Sequence, residues 1–250
     1  GQGNRSDREN VDIYGNTFDM AGSSDLNPCY LNTALSYKQL HTRFIYDKYS
    51  TSSRDIFGEN LLRDYKVDFI SALGEIKYDL KVNDKVQITP KLNYKRTKSY
   101  YAYQEPAENE APVYMAAIYK DRSVDRYSGN VNVSYNQSEN LNLISGFQFY
   151  QDIAQDHLDD EDRVFWNEKK KISYNNIGVY AQALIKSKIA NVTIGARMDY
   201  HSQFGEAFAP RIAITKVVDG LHAKLLFSQA YRSPGIENID LNAGLNPPEY

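Results

Sequence analysis

The stretch from Asn175 to Pro234 constrains the fold most, because apolar residues fall on every second position through four successive runs. The first carries Ile177, Val179, Ala181, Ala183 and Ile185, and the second Val192, Ile194, Ala196, Met198 and Tyr200. Pro210, Ile212 and Ile214 follow, then Leu221, Ala223, Leu225, Phe227 and Tyr231. A period of two predicts β-strands, since successive side chains point to opposite faces of a sheet. The connections are tight: KSKI, FGEA and VDG, and Asp219-Gly220 is a hairpin dipeptide that tolerates positive φ. The chain is therefore expected to be all-β, built as an antiparallel up-and-down meander.

The same rhythm runs upstream. Residues 1–27 are polar and read as a loop, and Tyr30–Tyr37 with His41–Ser50 reads as a first hairpin around Lys38-Gln39-Leu40. Ile70, Ala72, Gly74, Ile76, Tyr78, Leu80 and Val82 share one parity, and Glu75, Lys77 and Asp79 the other. After Asn83-Asp84 come Val86, Ile88, Pro90, Leu92 and Tyr94, then Tyr127, Gly129, Val131, Val133 and Tyr135, then Leu141, Leu143, Phe147 and Phe149. Roughly ten strands fall in residues 28–234, and residues 235–250 again read as loop. Connections alternate between short turns and long segments, notably Thr51–Leu62, Gln104–Arg122 and Ala154–Lys171; only Phe204–Ala207 is short on the long side. Short turns at one end and long loops at the other are the wiring of an outer-membrane barrel.

Composition leaves two readings of the apolar rows. A net charge of −3 and the absence of a basic stripe exclude a nucleic-acid partner. Mean hydropathy of −0.60 excludes spanning helices, which need ~20 apolar residues, but not a barrel, in which only alternate residues meet lipid. Cys29 has no internal partner. The rows either meet in a soluble core or face lipid around a wet interior. Lipid is favoured by uncharged rows from Ile70 to Tyr231 and by strands longer than the usual ~5–6 residues. Aromatics also gather at both row ends: Tyr37, Tyr78 and Tyr135 by the short turns, and Tyr94, Tyr127, Phe149, Tyr200 and Tyr231 by the long loops. Headgroup-level belts on a barrel have this arrangement.

Three segments in fixed order, GVYAQ (178–182), GARMDYHSQFGEAFAPRIAI (195–214) and AYRSPGIENI (230–239), resemble the barrel of TonB-dependent outer-membrane receptors. The resemblance runs from Tyr174 to about Asn242; elsewhere it is one of rhythm. It implies a large barrel, on the scale of ~22 strands, plugged by an N-terminal domain. It further implies binding of a scarce nutrient (iron chelate, haem, cobalamin or glycan) at external loops, and import energised through the TonB complex acting on that plug. The implied setting is the outer membrane of a Gram-negative bacterium, with lipid as a partner. No plug, TonB-contacting segment or terminal aromatic strand is recognised in the sequence, so residues 1–250 are expected to be a mid-barrel fragment. Its terminal strands would expose unpaired backbone groups, so an open or incomplete curved sheet is expected.

No catalytic site is expected, and no cofactor or metal ligand set. There is no G-x-S-x-G elbow, and His41, His157, His201 and His222 lack metal spacing. His157 and His201 lie on the long-loop side, where a haem ligand is conceivable. Candidate ligand contacts are Tyr100, Tyr101 and Tyr103 by the second long loop, and His157, Asp159, Asp160 and Trp166 in the third. Exposed aromatics can stack on a sugar or flat cofactor, and the acids can attract cations; a solvated acidic loop is the plainer reading of the latter. Arg197 with Asp199, and Glu75, Lys77 and Asp79 near Lys91, read as charge ladders on the interior face. A passive porin and a soluble or cell-surface binding or adhesion module are the alternatives.

Overall fold

The structure, a computed structural model, describes residues 3–4, 9–11, 15, 17–19, 21, 25–53, 65–102, 122–157, 165, 169–236 and 239. Among them are ten long strands: β1 (Asp25–Tyr37), β2 (Leu40–Ser53), β3 (Tyr65–Tyr78), β4 (Val86–Ala102) and β5 (Arg122–Ser138), then β6 (Leu141–Asp156), β7 (Lys171–Ile185), β8 (Asn191–His201), β9 (Gly205–Val218) and β10 (Leu221–Ser228). Each pairs antiparallel with the next in one continuous sheet. The piece Gly3–Asn4 pairs with Asp25 and Leu26 of β1, and Leu80–Lys81 pairs with β4. Among the described residues β1 and β10 do not meet, so the sheet is open. The loop expected over residues 1–27 holds three short strand pieces, and β1 begins two residues before Asn27.

Turn chemistry sets the register. Lys38 has φ 53°, and Asp219-Gly220 has φ 48° and 83°, so positive φ sits where two-residue hairpins need it. Gly205, at φ 74°, starts β9, which places the short turn at 202–204 rather than at Phe204–Ala207. The β5–β6 hairpin closes at Glu139-Asn140 with a register shift between Leu141 and Asn142.

The apolar rows face outward. Val131, Ile194 and Phe227, far apart on the sheet, are 38%, 51% and 56% exposed and share no dry interior. Across the strands the outward row runs Ile76–Leu92–Gly129–Phe149–Ile177–Tyr200 by direct backbone pairing. Inward positions are polar: Glu75, Asn93, Ser128, Gln148 and Asp199 occupy comparable levels. Several strands exceed the ~9–11 residues that cross a bilayer at a tilt, so their long-loop ends project beyond the hydrocarbon. There the outward positions become polar, as at Ser123 and Asp125 and at Lys171, Ser173 and Asn175.

Tyr231 departs from expectation. β10 ends at Ser228, and the chain then turns into the concave side, with Gln229 N donating to Pro210 O at 3.0 Å. Tyr231 is half-buried on the inner side and does not belong to the outer aromatic belt. The remaining belt residues Tyr94, Tyr127, Phe149 and Tyr200 are exposed on the outer face.

An outward charge should therefore cost far more than an inward one. Ile194→Arg is expected to destabilise the full-length protein by about 2–4 kcal/mol, against under ~1 for Thr193→Arg beside it, in denaturant unfolding from lipid bilayers.

Candidate functional site

The polar inner face of β5–β9 near the long-loop end is the most organised part of the structure. Inward parity brings Arg126 of β5 opposite Asp152 of β6, and the guanidinium donates to both carboxylate oxygens at 2.6 Å. The same guanidinium lies 4.3 Å from the Tyr150 ring centre. Four residues towards the rim, Arg122 Nε donates to Asp156 Oδ2 at 2.8 Å in a buried pair covered by Phe165, whose ring centre is 4.3 Å from the guanidinium. Two-pronged arginine–carboxylate contacts hold both orientation and spacing, so they clamp β5 to β6.

A second cluster spans β6, β7 and β8. Arg197 donates to both oxygens of Asp199 (2.6 and 2.7 Å) and to Gln148 Oε1 (2.8 Å), while Asn176 Nδ2 donates to Asp199 Oδ1 at 3.1 Å. Asp199 is 2% exposed and depends on these donors for its charge. Missing side chains make the room. A Cβ at Gly178 would collide with Arg197 and Asp199, and one at Gly146 with the ring of Tyr180, whose hydroxyl donates to Asn132 Oδ1.

Between this cluster and β9 lies an open cavity of about 400 Å³, lined by Asn130, Tyr180, Gln182, Arg197, Arg211 and Tyr231. Two of its polar groups, Asn130 Oδ1 and the Tyr231 hydroxyl, are buried without a partner among the described residues. Such groups call for water or a polar ligand, because leaving them unmatched costs ~1–3 kcal/mol each.

The segment after β10 forms one wall of the cavity and continues across the interior. The Tyr150 and Ser233 hydroxyls are 2.6 Å apart. Ile236 and Ile239 then pack with Ala154, Phe165, Ile172 and Tyr174 in a small dry cluster flanked by Val124. Ile239 N donates to Gly235 O at 3.1 Å, closing a helical turn.

At the short-turn end Asp79, just beyond β3, gathers Lys77 Nζ and His41 Nε2 at 3.1 Å each, with Thr89 Oγ1 donating at 3.1 Å. Desolvation alone would raise the Asp79 carboxyl, but hydrogen bonds from Lys77 and Thr89, with the charges of Lys77 and His41, hold it below its ordinary value. Lys91 reaches Glu75 at 3.3 Å, so both expected charge ladders are present.

The sequence-derived candidates fall elsewhere. His157 is half-buried at the rim, its Nε2 2.7 Å from Ser123 Oγ. Tyr100 and Tyr101 end β4, where only the backbone is described, and Tyr101 pairs with Asp68. Tyr103, Asp159, Asp160 and Trp166 lie outside the described residues. His201 is buried near the rings of Tyr174 and Phe204, and its Nδ1 accepts from Gln203 N at 3.1 Å; it locks the β8–β9 turn and is not presented to a haem. Among the described residues no group of three or more His, Cys, Asp or Glu could hold a metal. Sequence reasoning missed Arg126–Asp152, Arg122–Asp156 and the inward strap after β10. Inward parity of Arg126 and Asp152 was the available sign of the first.

Arg197→Ala should leave Asp199 buried with only Asn176 as a donor. We expect a loss of about 1–3 kcal/mol in denaturant unfolding, with Asp199→Asn in the same background recovering part of it.

The model of the family described as TonB dependent receptor-like, beta-barrel, matches residues 2–249. No curated protein matches the chain. Among solved structures, a mutant of the ferric enterobactin receptor PfeA from Pseudomonas aeruginosa superposes with TM-score 0.64 at 13% identity, over 86% of this chain and 35% of that one. The siderophore receptor PirA from Pseudomonas aeruginosa does so with TM-score 0.58 at 11% identity, over 85% and 34%. At such identities the likeness is one of fold, and the chain spans about a third of the length of these receptors. An outward apolar sheet, a charged concave face and a family match over nearly every residue agree: the chain belongs to the TonB-dependent receptors and contributes strands to their outer-membrane β-barrel.

Proposed function

We propose that this chain forms part of the barrel wall of a receptor that captures a scarce, anionic small nutrient and passes it inward through the concave side. The carrying observation is the sheet's two-sidedness. An uncharged apolar exterior backs an interior where Arg126 and Arg197 are held in fixed orientations and Arg211 lines an open cavity. Arginine suits anions that present paired oxygens. Ferric siderophores are the first ligands to try, because the two similar solved receptors are named for siderophore and ferric enterobactin. First contact belongs to the rim, with Tyr100, Tyr101, Tyr103, His157, Asp159, Asp160 and Trp166 as the proposed ligand-touching set. Energy comes through TonB acting on a plug domain, so the work is transport and not catalysis.

The test uses the full-length protein in an iron-starved outer-membrane setting, with ferric enterobactin and other labelled ferric chelates. Arg211→Glu should weaken binding of an anionic chelate by about tenfold while a neutral solute is unaffected. Uptake should stop when TonB is removed, although surface binding persists. Uptake that continues without TonB would establish a passive channel instead.

A further inference from the structure

The floor of the inner cavity is made by small residues in two adjoining rows. Gln182 of β7, Gly195 of β8, Arg211 of β9 and Ser228 of β10 pair in register across the first. A Cβ at Gly195 would lie 2.8 Å from Ala181 O and 3.0 Å from Gln182 Cβ, so only glycine fits there without a shift of the wall. The second row, nearer the long loops, is Tyr180, Arg197 and the buried Ala209. Glycine and alanine thus leave about 400 Å³ open between larger side chains, and Gln229 and Tyr231 of the strap after β10 line the same space.

The groups around this floor differ in what they already hold. Arg197 is bound to Asp199 and Gln148, and the Tyr180 hydroxyl donates to Asn132. Arg211, Gln182 and Gln229 make no side-chain hydrogen bond or ion pair among the described residues, and Asn130 Oδ1 and the Tyr231 hydroxyl are buried unmatched. Asp199 neutralises Arg197, so the lining keeps one positive charge, that of Arg211. One carboxylate balances it and matches the guanidinium fork, whereas a phosphate dianion would leave excess negative charge. A carboxylate only accepts, and Asn130 Oδ1 needs a donor. A hydroxyl both donates and accepts, so it can serve Asn130, Tyr231 and the two glutamine amides alike.

We propose that this cavity is a subsite for a single carboxylate flanked by several hydroxyls, the chemistry shared by free sugar acids and by polyhydroxy-acid chelates of ferric ion. Arg211 takes the carboxylate, and Asn130, Gln182, Gln229 and Tyr231 take the hydroxyls. The inference rests on the anion-capture reading above and narrows it to one class of anion. An apolar acid is disfavoured, because it would seal Asn130 Oδ1 and the Tyr231 hydroxyl away from water without replacing their hydrogen bonds. A volume of about 400 Å³ lies at the lower end of the ~300–1,000 Å³ usual for small-molecule sites, which suits one sugar-sized unit or one arm of a chelate.

Gluconate, its uncharged counterpart sorbitol, its hydroxyl-free counterpart hexanoate, and ferric gluconate are titrated calorimetrically into the full-length protein in detergent micelles, with protein-free micelles as the blank. Gluconate should bind about tenfold more tightly than either sorbitol or hexanoate. Arg211→Gln should erase the advantage over sorbitol, and Asn130→Leu the advantage over hexanoate. Heat-shifted gel migration reports the folded state of each variant; if Asn130→Leu does not fold, Tyr231→Phe, which removes only a hydroxyl, takes its place. Tighter binding of free gluconate than of its ferric complex assigns the site to sugar acids, and the reverse order assigns it to the chelate. Hexanoate bound as tightly as gluconate overturns the proposal but leaves anion capture standing. Gluconate bound no better than sorbitol overturns both.

Discussion

A backbone crossing hydrocarbon has no water to bond, so every N–H and C=O must be matched by the neighbouring strand. That requirement explains the continuous antiparallel pairing from β1 to β10 and the lengths of the strands. It also dictates the two-faced sequence. Once the ladder is complete, the side chains alone decide which surface meets lipid, and a period of two assigns them alternately. The outward rows exclude charge and the inward rows collect it. Among the described residues β1, beyond its pairing with Gly3–Asn4, and β10 each keep an edge that, at this depth, only another strand can cover.

Inside, the problem is reversed. A wet concave face could hold loosely solvated charges, yet Arg126, Arg122 and Arg197 are fastened to carboxylates on the same or adjacent strands. The Arg126 and Arg122 contacts join β5 to β6, and Gln148 and Asn176 tie the Arg197–Asp199 pair of β8 to β6 and β7, so side chains and backbone enforce one register. The glycines at 146 and 178 belong to this design: they give Tyr180 and Arg197 the space to lie along the wall. Arg211 and the unmatched groups of Asn130 and Tyr231 are the part of the wall left to receive something else.

The strand count and the side that meets lipid were legible because hydrocarbon leaves a simple mark, an apolar residue at every other place. Where that pressure ends, the mark ends. The apolar rows stop at Tyr94 and Tyr127, whereas the strands run on to Ala102 and start at Arg122, close to the expected connection at Gln104–Arg122. Tyr231 continued the numerical alternation of β10 but not its geometry, because a turn after Ser228 carries it inside. Arg126 with Asp152 demanded the register of the β5–β6 hairpin, which an irregularity at Leu141 hides from simple counting. His201 had the chemistry of a ligand, but its ring is enclosed by Tyr174 and Phe204.

The dry cluster near the rim joins pieces that are remote in sequence. Phe165 comes from the long connection outside the membrane, and Ile236 and Ile239 from the segment that dips into the interior. With Ala154, Ile172 and Tyr174 between them, neither can shift without uncovering the other's apolar surface to water. The cluster thus fastens Phe165 of the connection between β6 and β7 to the segment after β10, which also carries Ser233 and Tyr231 to the wall where the cavity opens.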